Sequence, residues 1–136
     1  MTTTIRCRTI VKEVGEGEAI VTNQPINFLA MIDSKSGIIK DETHELYGKN
    51  ISGKVLVFPN AIGSSVGAYS IYALSINGSA PRAMVCSRAD ITTASGCAIA
   101  GIPLVDRAER DIFAVLRTGS KVRVDAKNGR IEIVGS

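Results

Sequence analysis

Two adjacent serines between glycines, Gly63-Ser64-Ser65-Val66-Gly67, follow the apolar run Lys54 to Phe58 and open a segment that reads as a helix. A strand-to-helix turn leaves the first helical N–H groups without partners, and aligned peptide dipoles add partial positive charge there, so such a turn favours anions. Glycines at 63 and 67 keep side chains out of the approach, and Ser64 and Ser65 place hydroxyls beside the donors. Two uses fit these residue types. One serine simply caps the helix, or a hydroxyl takes part in chemistry on an anionic ligand.

The stretch also matches the G-x-S-x-G pattern of the serine-hydrolase nucleophile elbow. That chemistry needs a histidine base following the serine in the chain, whereas His44, the single histidine, lies upstream in an irregular stretch and reads as a solvated loop residue. A phosphate-binding P-loop is excluded because the Gly-Lys-Ser/Thr ending is missing. Cys7, Cys86 and Cys97 are odd in number, widely spaced and without a CxxC pair. Three thiols could in principle hold an iron-sulfur cluster, but each lies in an apolar or strand-like stretch, so they read as small buried residues and no metal site is expected. The turn therefore carries a serine with no base of its own. Either it is a cap, or the remaining chemistry comes from another polypeptide.

The elements that must position this turn follow from periodicity. Thr4 to Val21 gives two β-type runs, read as a hairpin or strand pair turning at Gly15-Glu16-Gly17. Residues 22–53 are punctuated by Pro25, Gly37, Gly48 and Gly53 and look irregular, a long stretch for so small a domain that suggests cover for a site or contact with a partner. Then the grammar alternates. Strands are expected over Lys54 to Phe58, Ala83 to Cys86 and Ile102 to Val105, with helices over Ser65 to Ile76 and Ile91 to Ala100, which implies βαβ units around a parallel sheet. "RAERDIFAVLRTG" predicts a further short helix with Ile112, Val115 and Leu116 on one face. "KVRVDAKNGRIEIV" predicts a closing hairpin turning at Asn128-Gly129. The class is α/β with β-rich ends, in one domain over residues 1–136.

Bulk composition narrows the function. The 136 residues are 45% hydrophobic and 21% charged, with a formal net charge of +3 and both signs interspersed. Lys and Arg form no stripe and aromatics are few, which argues against nucleic-acid binding. No stretch approaches 18 apolar residues and no secretory leader is visible at the start, so no membrane association and a cytoplasmic location are expected.

Several stretches together resemble the small subunit of the aconitase X family, the detached swivelling domain of an aconitase-like dehydratase: "GEGEAIVTNQPINFLAMID" (15–33), "ISGKVLVFPNAIGSSVGAYSIYAL" (51–74), "NGSAPRAMV" (77–85), "AIAGIPLVDR" (98–107) and "LRTGSKVRVDAKNGRIEI" (116–133). The resemblance implies a swivelling β/β/α fold with a central parallel or mixed sheet, flanking helices and a C-terminal hairpin. It also implies a heteromeric enzyme whose large subunit carries an iron-sulfur cluster, this chain holding no cofactor itself. In that family the serine of the glycine-serine turn takes a proton from the carbon next to the leaving hydroxyl. Carried over, the base is Ser64, with Gly63 and Ser65 helping to hold a small anionic substrate. Two substrate branches are implied, (R)-5-phosphomevalonate giving trans-anhydromevalonate 5-phosphate, or a 3-hydroxyproline, and "AGIPLVDR" with the separate small subunit points to the first. A non-catalytic anion-binding module is the competing class. The chain departs from the family pattern at Ala30-Met31, where a glycine pair is expected. It departs again at Asn60-Ala61-Ile62, which replaces a lead-in carrying lysine and leaves Arg107 as the cation for an anionic group. An arginine after a strand also serves as a surface ion-pair partner.

Overall fold

The computed structural model describes residues 2–134. In chain order the elements are β1 (Thr2–Arg6), β2 (Arg8–Val11), β3 (Val14–Val21), α1 (Phe28–Met31), β4 (Val55–Phe58), α2 (Gly67–Ile76), β5 (Ala83–Cys86), α3 (Ile91–Ala100), β6 (Leu104–Asp106), α4 (Ile112–Val115), β7 (Lys121–Asp125) and β8 (Arg130–Val134). The strands form a mixed sheet in the order β1-β8-β7-β3-β4-β5-β6-β2. Its centre, β3-β4-β5-β6, is parallel, and its remaining pairings are antiparallel. Strand β3 serves both halves: Val14 to Glu18 pair antiparallel with β7, and Ala19 to Val21 pair parallel with β4.

The parallel strands are apolar on both faces, and both faces are covered. Leu56, Phe58, Met84, Cys86 and Leu104 point into one core with Ile71 of α2 and Cys97 of α3, closed by Phe28, Ile32 and Ile51 of the 22–53 segment. The alternate residues Val55, Val57, Val85 and Val105 point the other way, onto Val122, Val124, Ile131 and Ile5 of the antiparallel half, with Ile112 and Leu116 plugging the end. The result is a β layer on a β layer on a helical layer, the expected β/β/α arrangement. Only Cys7 separates β1 from β2, yet β1 pairs with β8 and β2 with β6, so one continuous run of chain joins the two ends of the sheet and closes it around the second core.

Several expectations are corrected. Gly15 and Gly17 lie inside β3 and make no turn; the first β region is three strands, with the break at Lys12-Glu13. Glycine is needed because a Cβ on Gly15 would sit 2.1 Å from the Arg82 carbonyl oxygen, and one on Gly17 would sit 2.7 Å from that of Gly53. The helix expected from Ser65 begins at Gly67, and the third strand runs Leu104–Asp106. The helix around Ile112 is a single turn: Leu116 is already extended, because the chain must return to pair Gly119 N–H with the Ala19 carbonyl at 2.9 Å. The β5 strand, α3 and the closing β7-β8 hairpin stand where the periodicity puts them.

Candidate functional site

Because β3, β4, β5 and β6 run the same way, the loops that leave their carboxyl ends meet at one edge of the sheet, the usual place for ligands in parallel α/β sheets. Backbone hydrogen bonds lace these loops together past the ends of the strands. Ile26 N–H donates to the Asn60 carbonyl at 3.1 Å and Ile62 N–H to the Ile26 carbonyl at 2.9 Å, prolonging the β3–β4 pairing. Ser87 and Arg88 N–H groups donate to the Pro59 carbonyl at 3.0 and 3.3 Å, and Arg107 N–H donates to the Ser87 carbonyl at 3.2 Å. The serine turn is thus held on both sides.

Gly63 enters the turn at φ +108°, and a Cβ there would lie 2.8 Å from Asn27 Nδ2. Any L side chain is strained in that conformation and also collides with Asn27. Asn27 is itself fixed, since it caps α1 by accepting from Ala30 N–H at 3.0 Å. The irregular segment therefore braces the turn directly.

Ser64 follows, exposed, with Oγ accepting from Val66 N–H at 3.3 Å. Neither serine is the helix cap. That position belongs to Val66, in helical conformation and with no side-chain cap bond. The Ser64 and Ser65 carbonyls accept from Gly67 and Ala68 N–H groups at 3.0 and 3.3 Å, and the Val66 carbonyl takes Tyr69 and Ser70 N–H at 3.0 and 3.2 Å. The free donors expected at the start of the helix are consequently used within an extra turn. What α2 still offers is its dipole, together with one amide aimed at the Ser64 oxygen. Ser65 is exposed beside it.

Arg107 stands at the same edge but one loop further on. Strands two apart are separated by about 9.5 Å, so Arg107, after β6, does not adjoin the turn after β4. Its backbone lies at φ +48°, the one positive φ outside glycine among the described residues. Between the two lies Arg88, which the sequence reading missed. A hollow of about 370 Å³ opens between the β4 and β5 loops, lined by Pro59, Asn60, Ala61, Ser87, Arg88 and Asp90. A smaller one of about 190 Å³ lies on the far side of Ser87, beside Arg107 and Arg110. The signal for Arg88 was an arginine just after an apolar strand, two residues beyond β5, as Arg107 stands one residue beyond β6. A larger cavity, about 680 Å³ and lined by Arg82, Lys121 and Arg123 among others, is at the opposite, amino edge and away from the serines.

The other candidates are placed elsewhere. His44 is buried, not solvated: Leu46 N–H donates to its Nδ1 at 3.1 Å, and its Nε2 lies 3.2 Å from the Pro25 carbonyl, so its work is to fold the 22–53 segment. Cys86 and Cys97 are buried in the helix-side core, and Cys7 is half-buried at the seam between β1 and β2. Burial, with help from Asp106, pushes the Cys7 and Cys86 thiols up to about 12, and burial also raises that of Cys97. Thiols so placed do not fit an iron-sulfur cluster, which binds thiolates. Among the described residues no group of three or more His, Cys, Asp or Glu side chains is placed to hold a metal ion, and no helix is long and apolar enough to cross a membrane.

Beneath the arginines, Asp106 is wholly inaccessible. Its carboxylate takes a bidentate pair from Arg8 at 2.8 Å and the Ala89 N–H at 2.8 Å. Burial opposes its charge, but those hydrogen bonds and the nearby Arg107 outweigh it and hold the carboxyl below the usual range. It locks the β2, β5 and β6 ends together.

Residues 4–133 match the family model described as the aconitase X swivel domain. The chain is 40% identical to the phosphomevalonate dehydratase small subunit of Methanococcoides burtonii, covering 98% of each, and 44% identical to that of Pyrococcus abyssi, covering 91% of this chain and 93% of the relative. Its structure is similar to a chain in the crystal structure of Thermococcus kodakaraensis aconitase X in its holo-form, with a TM-score of 0.92 at 42% identity, covering 98% of this chain and 99% of that one.

Proposed function

The chain belongs to the aconitase X swivel-domain family, and on that premise we propose that it is the small subunit of a heteromeric hydro-lyase that dehydrates (R)-5-phosphomevalonate to trans-anhydromevalonate 5-phosphate. Relatives bearing the name phosphomevalonate dehydratase small subunit match it over nearly their whole length, which supports the substrate. The partner is a large subunit of the same family. That subunit would hold the iron-sulfur cluster, which would supply Lewis acidity for departure of the hydroxyl; in this chain Cys86 and Cys97 are buried in the helix-side core, and Cys7 is half-buried apart from them.

The observation that carries the reading is the exposed Ser64 hydroxyl at the mouth of α2 with a backbone N–H directed at its oxygen. An alkoxide is unfavourable in water, and a donor plus a positive helix end stabilise the charged form. Ser64 Oγ then takes the proton from the carbon adjacent to the one bearing the hydroxyl, and the C–H electron pair becomes the new double bond as the hydroxyl leaves. Gly63 keeps the approach open, Ser65 orients the substrate, and Arg107, with Arg88 on the intervening loop, supplies positive charge for the phosphate.

The test is reconstitution with the large subunit and assay against both (R)-5-phosphomevalonate and 3-hydroxyproline. We expect turnover of the former only, and a fall in kcat of about a thousandfold in Ser64→Ala with the complex intact. Normal turnover by that variant removes Ser64 as the base, and activity on hydroxyproline alone removes the substrate.

A further inference from the structure

The helical layer carries a second message. No charged residue occurs between Lys54 and Arg82, and none between Asp90 and Asp106, although 21% of the chain is charged. The ten-residue helices α2 and α3 therefore have none at all. Their inner faces, Ile71 and Leu74 of one and Cys97 of the other, fill the core as expected. Their outer faces are also apolar: Tyr69 is 75% exposed, Ile76 66%, Ile91 83% and Ile99 67%, with Tyr72 and, from α1, Leu29 beside them. A surface helix facing water ordinarily puts charged side chains on its outer side, and a helix apolar all round is one that is covered. Loss of charge together with exposed tyrosine and isoleucine is the composition of an interface core.

We propose that the outer face of α2 and α3, with Leu29, is the surface on which the large subunit docks. The inference rests on the small-subunit reading above. Continuity selects this occupant over a second copy of the chain. The uncharged face begins at Val66, two residues past Ser64, and a turn whose chemistry is completed by another polypeptide must itself lie at the contact with that polypeptide. The face then runs away from the turn along α2, placing Ile76 about 15 Å from its start. The antiparallel side is different in kind: Arg6, Lys121, Arg123, Arg130 and Glu132 mark it as a face for solvent.

The experiment titrates the small chain into the large subunit and reads both affinity and kcat at saturation, for the wild type, Ile76→Glu, Ile99→Glu and, as a control on β1, Thr3→Glu. Ile76 and Ile99 lie far from the serine turn on exposed faces, and the unfolding midpoint of each isolated variant reports whether it folds. We expect affinity to fall tenfold or more in Ile76→Glu and Ile99→Glu, with kcat recovered at saturation, and to stay unchanged in Thr3→Glu. Unchanged affinity in both folded helix variants overturns the proposal. So does a wild-type chain that dimerises alone through this face, becomes monomeric on Ile76→Glu, and binds the large subunit equally well either way. An inactive wild-type pair that binds with the predicted sensitivity would instead count against the dehydratase reading and leave the docking surface standing.

Discussion

At the scale of single residues, the serine turn was legible because its evidence is local: residue types, glycine spacing and position after an apolar run. Arg88 was not, because its relevance depends on a backbone bond to Pro59, contributed by another strand's loop. Arg107 combines an exposed cation with a strained backbone, and substitution separates the two. Arg107→Gly is expected to keep or slightly raise stability, by up to about 1 kcal/mol, since glycine adopts φ +48° freely. The same variant should raise KM for the phosphorylated substrate about tenfold or more, as loss of a charge-assisted contact does. An unchanged KM with raised stability would mean that the arginine does not touch the substrate. Asp106 makes a prediction about pH. Its carboxyl is depressed in the folded state, so the stability it contributes is present above the ordinary carboxylate pKa and is lost as pH falls through the depressed value. Asp106→Asn should cost about 1–2 kcal/mol at pH 7, because the buried amide cannot accept both Arg8 donors as the carboxylate does, while the half-exposed Arg8 keeps its solvation. Urea midpoints should show the gap between variant and wild type narrowing below about pH 4.

At the scale of elements, alternation of apolar runs with helical stretches gave the parallel centre, and the closing hairpin was clear from period-two alternation. The misreading at Gly15-Glu16-Gly17 has a physical cause. Glycine marks both turns and places where two backbones come close, and only the partner segment tells which. Here the partners are the Arg82 and Gly53 carbonyls, 67 and 36 residues away in the chain. A turn would tolerate alanine, but this crossing does not. Gly15→Ala is expected to destabilise the fold by at least about 2 kcal/mol, read from the shift in its denaturation midpoint, whereas Gly48→Ala, with open space around it, should show only the smaller strain of its positive φ. His44 was misplaced for a related reason: its partners, the Pro25 carbonyl and Leu46 amide, are fixed by a segment without periodicity.

At the scale of the whole molecule, the β/β/α layering and the closure of the sheet order the cysteines. Cys86 and Cys97 lie in the packed core, and their raised pKa values keep them as thiols at neutral pH. A thiol-reactive dye at pH 8 should leave both unlabelled in the native chain and label them within the dead time of denaturation; labelling in the folded state would require that core to open. The closed seam also bears on synthesis. Thr2 to Arg6 lie against Arg130 to Val134, so β1 pairs with a strand about 125 residues later in the chain. A nascent chain on the ribosome can assemble its central α/β units early, but its leading strand stays single until the trailing hairpin has emerged. A stall before Arg130 would hold two bare strand edges in the open, where they could recruit a neighbour's.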